Sequence, residues 1–222
     1  MYTANMTPAE ISRETDAEIE NIDKKVRHMA NEFRRKALKA TKFPMTMTFE
    51  QRTVRKNRWI ITMHAPSKKS TEKGTDYSYY CISESPMGKY VYKPVQRSFA
   101  DIFQTLVIKP HFFSRYRERM GLEETGDKLI MQMMKSKNIV KTEQFERKDG
   151  SLGFVMTFDD GIGLGDVLEK DKVHLVRTFV PKHMLFDDQL PGFLEYEADK
   201  DTVEALLEKK KRELFAKRII RL

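Results

Sequence analysis

The chain opens with a helical pattern of apolar residues. Thr7 and Pro8 form a helix start, because a threonine side chain can cap the first turn and proline is favoured at the first helical position. From Ile19 onward the apolar spacings of three, four and seven are typical of one face of an amphipathic helix. We predict one long helix that ends before Phe43-Pro44. Its apolar positions are Ile11, Ile19, Ile22, Val26, Met29, Phe33 and Ala37.

Short strands replace the helical pattern after residue 44. Residues 45–51 and 58–65 predict one hairpin around the basic turn "RTVRKN", and residues 76–83 and 89–95 predict a second around "ESPMG". The polar loop "PSKKSTEKG" joins them. The second hairpin is rich in tyrosine, which could stack on bases but is better explained by pairing across strands. These tyrosines are Tyr77, Tyr79, Tyr80, Tyr90 and Tyr92.

The second half of the chain mixes helices and strands. Residues 99–107 predict a short helix or a helix-to-strand transition, Pro110 opens a helix, and residues 124–136 predict another. Residues 152–160 and 172–181 predict strands, with "GIGLG" as a turn between them. The second strand is buried on both faces by its pattern. Its two faces are His174, Val176, Thr178 and Val180, and Val173, Leu175, Arg177 and Phe179.

Together these elements predict an α+β fold, with antiparallel sheet packed against helices. A possible short helix at 182–186 precedes a final amphipathic helix at 200–220. We divide the chain into an N-terminal helix (1–43), an α+β core domain (44–198) and a C-terminal helix (199–222). The terminal helices carry narrow apolar stripes, which suit packing on the core or docking of a protein partner or second copy equally well.

Composition narrows the class of protein. With 222 residues, of which 40% are hydrophobic, the chain can build a substantial core. No apolar run approaches the roughly 18 residues of a membrane span, and the polar, acidic N-terminus is unlike a secretory signal. Cys81, the one cysteine, excludes an intramolecular disulfide and fits a reducing compartment. We expect a cytoplasmic protein with no membrane partner.

The net charge of +8 is concentrated in one part of the chain. Residues 24–73 carry fifteen basic and three acidic residues, a surplus that would attract RNA or another nucleic acid. The same surplus could instead serve solubility, or could reflect basic residues at the end of the first helix that complement its dipole. The candidate nucleic-acid-binding residues are Arg34, Arg35, Arg52, Arg55, Lys56 and Arg58.

Several kinds of site are not supported. Gly161, Gly163 and Gly165 lack the spacing and the following helix of a dinucleotide-binding loop, and predict a glycine-rich hairpin turn instead. The histidines show no metal-ligand spacing, and one cysteine removes most structural zinc sites. We therefore expect no metal and no cofactor.

The stretch "IKPHFFSRYRERMG" (108–121) has two distinct faces as a helix. Phe112, Phe113, Tyr116 and Met120 occupy one side. The opposite side carries His111, Ser114, Arg115, Glu118 and Arg119. One face is suited to burial, and the other offers an imidazole and two guanidinium groups.

This polar face matches the needs of metal-independent RNA cleavage. That reaction requires a base for the ribose 2′-hydroxyl, an acid for the leaving 5′-oxygen, and cations for the phosphorane. Histidine can be the acid or the base, and arginine can hold two phosphate oxygens. His111, Arg115 and Arg119 are therefore candidate catalytic residues, and Thr178 on a facing strand could add a hydrogen bond.

The segments "HFFSRYRERMG", "FVMTFDDGIG" and "VHLVRTFVP" resemble the helix-plus-sheet core of the metal-independent ribonuclease superfamily that includes barnase, colicin nuclease domains and RelE-type toxins. The resemblance covers residues 108–181 and leaves the first hundred residues unexplained. It implies that His111, Arg115 and Arg119 match the helical catalytic positions and Thr178 the strand position. A ribonuclease of toxin or mobile-element type is the function it implies.

Three alternatives stay open. Arg115 and Arg119 are also placed to form ordinary surface ion pairs with acids such as Glu118 or Glu123. The protein could be a non-catalytic nucleic-acid-binding module that uses residues 24–73 and the tyrosine-rich strands. It could also be a structural or interaction protein that docks a partner through its terminal helices.

Overall fold

The computed structural model of the chain describes residues 1–96, 103–135 and 141–185. The helices are α1 (Pro8–Lys39), α2 (Lys68–Lys73), α3 (Pro110–Met120) and α4 (Gly126–Lys135). The strands are β1 (Met45–Arg52), β2 (Arg58–Ala65), β3 (Asp76–Ser85), β4 (Gly88–Gln96), β5 (Phe103–Ile108), β6 (Lys141–Glu146), β7 (Leu152–Phe158), β8 (Gly161–Leu168) and β9 (Val173–Pro181).

The nine strands form one sheet in the order β1-β2-β3-β4-β5-β9-β8-β7-β6. Neighbouring strands are antiparallel, except that β5 and β9 are parallel at the centre. Two antiparallel meanders, β1–β5 and β6–β9, therefore meet along one parallel seam. The connection between β5 and β9 contains α3 and α4, as a parallel pair requires a long crossover.

Helices cover the sheet on both sides. Alternating residues of β2 show the division: Trp59 and Ile61 belong to the core beneath α1, and Ile60 belongs to the core beneath α3 and α4. Burial on both faces explains the apolar run Trp59–Ile61 in the inner strand β2. The sheet is thus the middle layer between two separate hydrophobic cores.

Helix α1 forms as the sequence predicts. Thr7 and Glu10 make a reciprocal capping box, with the Glu10 amide 3.3 Å from Thr7 Oγ1 and the Thr7 amide 2.7 Å from Glu10 Oε2. The apolar stripe of α1 is buried against the sheet, with Ile22 and Val26 fully inaccessible. This stripe is therefore used within the chain and does not offer a docking surface for a partner.

Two local predictions are corrected, one is decided between its two alternatives, and one strand was not predicted. The loop at 66–74 contains the short helix α2, whose Ser67 caps its own first turn. The described part of the segment predicted as a helix or transition, from residue 103, is strand β5, because its residues pair with β4. Residues 141–146, for which no element was predicted, are the edge strand β6. The glycine run lies in strand β8, and the hairpin turn is the preceding pair Asp159-Asp160.

Close packing explains the glycines of β8. A Cβ atom at Gly163 would lie 3.1 Å from Val176 Cγ1 and 3.2 Å from the Phe112 ring, so glycine lets α3 approach the sheet. A Cβ atom at Gly165 would overlap the carbonyl oxygen of Leu175. The glycines are therefore packing residues and not turn residues.

A β-bulge changes which residues of β9 share a face. Leu164 pairs with Thr178 and Gly165 with Val176, so Arg177 is an extra residue on β9. Val176 and Phe179 consequently pack in the same core beneath α3. The predicted strict alternation along β9 is wrong beyond Val176, because the extra residue reverses the two faces.

The fold class is α+β, with a mostly antiparallel sheet, as predicted. The predicted C-terminal helix at 200–220 lies outside the described residues, and of the predicted short helix at 182–186 the structure describes a single turn at Lys182–Met184. In the described ranges, no helix combines the length and the apolar character needed to cross a membrane.

Candidate functional site

Helix α3 has the two faces that its sequence predicts. Phe112, Phe113 and Tyr116 are buried in the core, and Gly121 ends the helix in a left-handed conformation with φ of 64°. The first turn has no side-chain cap from Lys109, the residue that precedes it. His111 lies in this first turn and is exposed to solvent. The first turn is the positive end of the helix dipole.

His111 and Arg115 contact each other on the exposed face. Arg115 Nε donates to His111 Nε2 over 3.4 Å, and Arg115 Nη1 donates to Glu118 Oε2 over 2.9 Å. The three side chains follow one another at intervals of four and three residues, which brings them side by side on a helix. The arrangement is a histidine, an arginine and a carboxylate in one solvent-accessible row.

Arg119 has a different role from Arg115. Its guanidinium donates to the backbone carbonyl of Phe179 on β9, and the side chain is partly buried. Phe179 itself packs edge-on to the Tyr116 ring, with 4.9 Å between ring centroids. Arg119 therefore links α3 to the sheet. At least one of its N–H groups is already used in that hydrogen bond.

Thr178 does not join this group. It precedes Phe179, which points toward α3, and successive side chains of a strand point to opposite faces. Thr178 therefore faces away from α3, on the other side of the sheet from His111. Of the four predicted catalytic residues, His111 and Arg115 lie together on α3. Arg119 is bound to the Phe179 carbonyl, and Thr178 lies on the other face of the sheet.

The charged residues around Lys109, which directly precedes α3, were not predicted. Burial, and then the positive charge of Arg177, lowers the pKa of Lys109. Asp166 on β8 accepts from Arg147 Nη1 over 2.9 Å and also pairs with Arg177. Distant segments of the chain contribute these residues, so no local spacing in the sequence could have shown that they meet.

A buried polar cluster on α1 was also missed. Glu14 and Glu18 are almost inaccessible, at 4% and 1% exposure, although acidic residues in a surface helix normally face water. The Trp59 indole donates to Glu18 over 2.9 Å, and the Asn57 amide donates to Glu14 over 2.7 Å. A sequence signal did exist, since both acids lie on the apolar side of α1 close to Ile11 and Ile22.

The predicted nucleic-acid-binding residues form two separate groups. Arg34 on α1 donates to the backbone carbonyls of Thr71 and Glu72, at 3.0 and 2.5 Å, and so holds α2 in place. Its neighbour Arg35 is exposed. The other four residues lie around the β1–β2 turn, beside Glu14 of α1. Glu14 and Arg34 are about 30 Å apart along the helix, so the six residues do not make one surface.

Three of the second group line a polar cleft of about 570 Å³, namely Arg52, Lys56 and Arg58. Acidic side chains line the same cleft. Arg58 pairs with Glu50 at 3.0 Å and with Asp127 at 2.7 Å, and Arg52 Nε lies 3.6 Å from Glu50. The positive charge of this cleft is therefore largely neutralised within the protein.

The tyrosines of β3 and β4 serve mainly as core. Tyr80, Tyr90 and Tyr92 are buried, and Tyr92 stacks on Tyr2 with ring centroids 4.2 Å apart. The ring contacts within these strands join residues two apart on one strand, Tyr77 to Tyr79 and Tyr90 to Tyr92. A platform of exposed tyrosines for base stacking does not form.

The described ranges contain no group of three or more histidine, cysteine, aspartate or glutamate side chains that could hold a metal ion. Comparison of the chain with protein-family models, with curated proteins and with solved structures gives no match.

Proposed function

We propose that this protein interacts with RNA or another nucleic acid, and that His111 and Arg115 hold a phosphate on the exposed face of α3. The observation that carries the proposal is the 3.4 Å contact between Arg115 Nε and His111 Nε2. Two nitrogen atoms at that separation can both donate to the oxygens of one phosphate group.

The contact also makes the pair responsive to an anion. In the observed arrangement His111 Nε2 accepts a hydrogen bond, so that nitrogen carries no proton. A protonated His111 would bring two cations and two donors together without an acceptor. A phosphate between them would accept a hydrogen bond from both side chains.

Helix geometry adds to the attraction. His111 lies in the first turn of α3, where backbone N–H groups and the helix dipole favour negative charge. Arg117 and Arg119 increase the positive charge of the same helix, and Glu118 is the one acid within it. An RNA phosphate would therefore meet a helix with more positive than negative charge. In the cleft around Arg58, by contrast, acidic side chains neutralise most of the positive charge.

Metal-independent cleavage of RNA is the stronger form of this proposal. The ribose 2′-oxygen would attack the adjacent phosphorus while the bond to the 5′-oxygen breaks, which leaves a 2′,3′-cyclic phosphate. One side chain must take the 2′-hydroxyl proton and another must protonate the 5′-oxygen. His111 and Glu118, on either side of Arg115, are the two proton-transfer groups that this face offers.

The test is incubation of the protein with labelled single-stranded RNA in EDTA, beside His111→Ala and Arg115→Ala. Matched controls are His28→Ala and Arg27→Ala on α1. His28 is likewise an exposed helical histidine near an acid, 3.5 Å from Glu32, and Arg27 pairs with Asp23 at 2.8 Å.

Salt-sensitive binding that weakens about three- to tenfold in the two α3 variants, but not in the controls, would support the binding proposal. Loss of cyclic-phosphate products in His111→Ala would support cleavage. Binding without products would limit the protein to a non-catalytic role. Equal affinity in all five proteins, or no RNA binding, would remove the site from consideration.

A further inference from the structure

A second cavity, of about 280 Å³, lies between the sheet and α4. Its wall is mainly apolar and rich in methionine, a side chain that adapts to ligands of varied shape. Its apolar lining includes Leu106, Met133, Met134, Phe154, Met156 and Phe158. The cavity is separate from the exposed face of α3 and from the polar cleft at Arg58.

The polar groups of the cavity are few and include no acid among the described lining residues. They are Lys93, Gln104, Thr142 and His174. Lys93 and His174 belong to one row across the sheet, because Lys93 pairs with Leu106 and Leu106 pairs with His174. Two strand spacings, about 10 Å, separate their backbones, and Lys93 can extend across part of that distance.

Lys93 is the unusual member of this row. Its pKa is lowered, and burial is the cause. In the described ranges no carboxylate forms an ion pair with it, whereas Lys89 on the same strand contacts Asp127 and Glu84 at 2.6 and 3.1 Å. Lys93 is half-buried. An ammonium group that is partly removed from water and lacks a counter-ion is costly, and an anion beside it would offset the cost.

His174 is held in place at the other end of the row. Its ring packs on Phe154, with 4.6 Å between centroids, and its Nε2 lies 3.4 Å from Gln144 Nε2. It contributes one of the few polar edges of a mainly apolar wall. A ligand for this cavity therefore needs an apolar body and one polar, anionic end.

We propose that the cavity binds an apolar monocarboxylate, with Lys93 as the counter-ion of its carboxylate and the methionine and phenylalanine side chains around its hydrocarbon part. At the roughly 30 Å³ that a water molecule occupies in the liquid, the cavity has room for about nine non-hydrogen atoms. A carboxylate of seven or eight carbons, with nine or ten non-hydrogen atoms, is close to that size. This site is independent of the proposed nucleic-acid contact.

Calorimetric titration of the full chain with octanoate, 1-octanol and octylamine tests the proposal. These probes share a hydrocarbon chain and differ in the charge of the head group. We expect octanoate to bind at least tenfold more tightly than octanol or octylamine. Equal affinities for the three compounds, or no binding of octanoate at millimolar concentration, would overturn the proposal without any variant being needed.

Three variants locate the binding site. Lys93→Met should weaken octanoate at least tenfold and change octanol less than threefold, because it removes the charge and keeps the apolar length. Met156→Trp should weaken both by filling the cavity. Lys24→Met, at an exposed position on α1, is the matched lysine control and should change neither. Unchanged octanoate affinity in folded Lys93→Met would also overturn the proposal.

Discussion

Arg55, in the turn between β1 and β2, forms a two-point ion pair with Glu14 on α1. Arg55 Nε lies 3.1 Å from Glu14 Oε1, and Nη2 lies 2.5 Å from Oε2. Because the Glu14 carboxylate is almost inaccessible, the pair is shielded from solvent on one side and fixes the turn against the helix. An arginine that the sequence suggests for nucleic acid thus stabilises the fold.

We expect Arg55→Ala to lower the free energy of unfolding clearly more than a substitution at its exposed neighbour, since it takes one of two cations away from a buried carboxylate. The neighbouring Lys56→Ala, at an exposed position, should change it by less than about 0.5 kcal/mol. Urea denaturation of both variants measures the difference. Similar stability of the two variants would show that the ion pair is not structural.

The same pair predicts how stability depends on pH. Burial alone would raise the pKa of Glu14, but hydrogen bonds from Arg55, the Met1 amino group and Asn57 outweigh it and hold the pKa at about 2. A carboxyl with a lowered pKa contributes stability above its ordinary pKa, and this contribution is lost as the pH falls toward the folded-state value.

Glu14→Gln should therefore be about 2–3 kcal/mol less stable than the unaltered protein at pH 6. The difference should shrink as the pH falls from about 4.5 to 2, where the carboxylate takes up its proton. Urea denaturation at several pH values in this window provides the measurement. A difference that stays constant with pH would contradict the assignment.

Substitution of Arg115 and of Arg119 should have different effects on stability, although the two residues are one helical turn apart. Arg119→Met should lower the free energy of unfolding by about 1–2 kcal/mol, because it removes a charged donor from the Phe179 carbonyl. Arg115→Met should leave stability nearly unchanged, since exposed pairs such as Arg115–Glu118 contribute less than about 1 kcal/mol.

For RNA binding we expect the reverse order, with Arg115→Met having the larger effect. Arg115→Met should reduce the salt dependence of binding by the amount expected for about one phosphate contact, and Arg119→Met should not. Affinities for one single-stranded RNA at several salt concentrations would show this. The proposed division of roles fails if Arg119→Met, while folded, weakens binding as much as Arg115→Met does.

The glycines of β8 should differ in their tolerance of a methyl group. Gly165→Ala should cost more than about 3 kcal/mol or prevent folding, since the new atom would overlap the backbone of Leu175. Gly163→Ala should cost about 1–3 kcal/mol, because its neighbours are side chains that can shift. Soluble yield and urea denaturation rank the two, and a reversed order would contradict the observed register at the bulge.

Local sequence determined the elements whose signals are contained within one segment. Thr7, Pro8 and Glu10 specify the start of α1, and the apolar spacing after Ile19 specifies its buried face. Strand pairs such as β1 and β2 were evident because alternating residues and a polar turn lie close together in the chain. The division of α3 into a buried and an exposed face followed from helical periodicity in the same way.

Only the tertiary structure decided how distant segments meet. The parallel pairing of β5 with β9 joins residues about seventy positions apart, and nothing in either strand specifies that neighbour. The glycines of β8 resembled a turn because glycine occurs both in turns and where backbones approach closely. The bulge at Arg177 moved Thr178 to the face away from α3, which no alternation pattern could show.

The same distinction applies to the candidate sites. The sequence by itself determined that His111, Arg115 and Arg119 share a helical face, because their spacing fixes it. Tertiary contacts decided that Arg119 binds the Phe179 carbonyl and Arg55 binds Glu14, and that Lys93 and His174 line one cavity. An arginine or lysine has the same local pattern whether it contacts solvent, a carboxylate or a cavity, so its role depends on which residues the fold brings beside it.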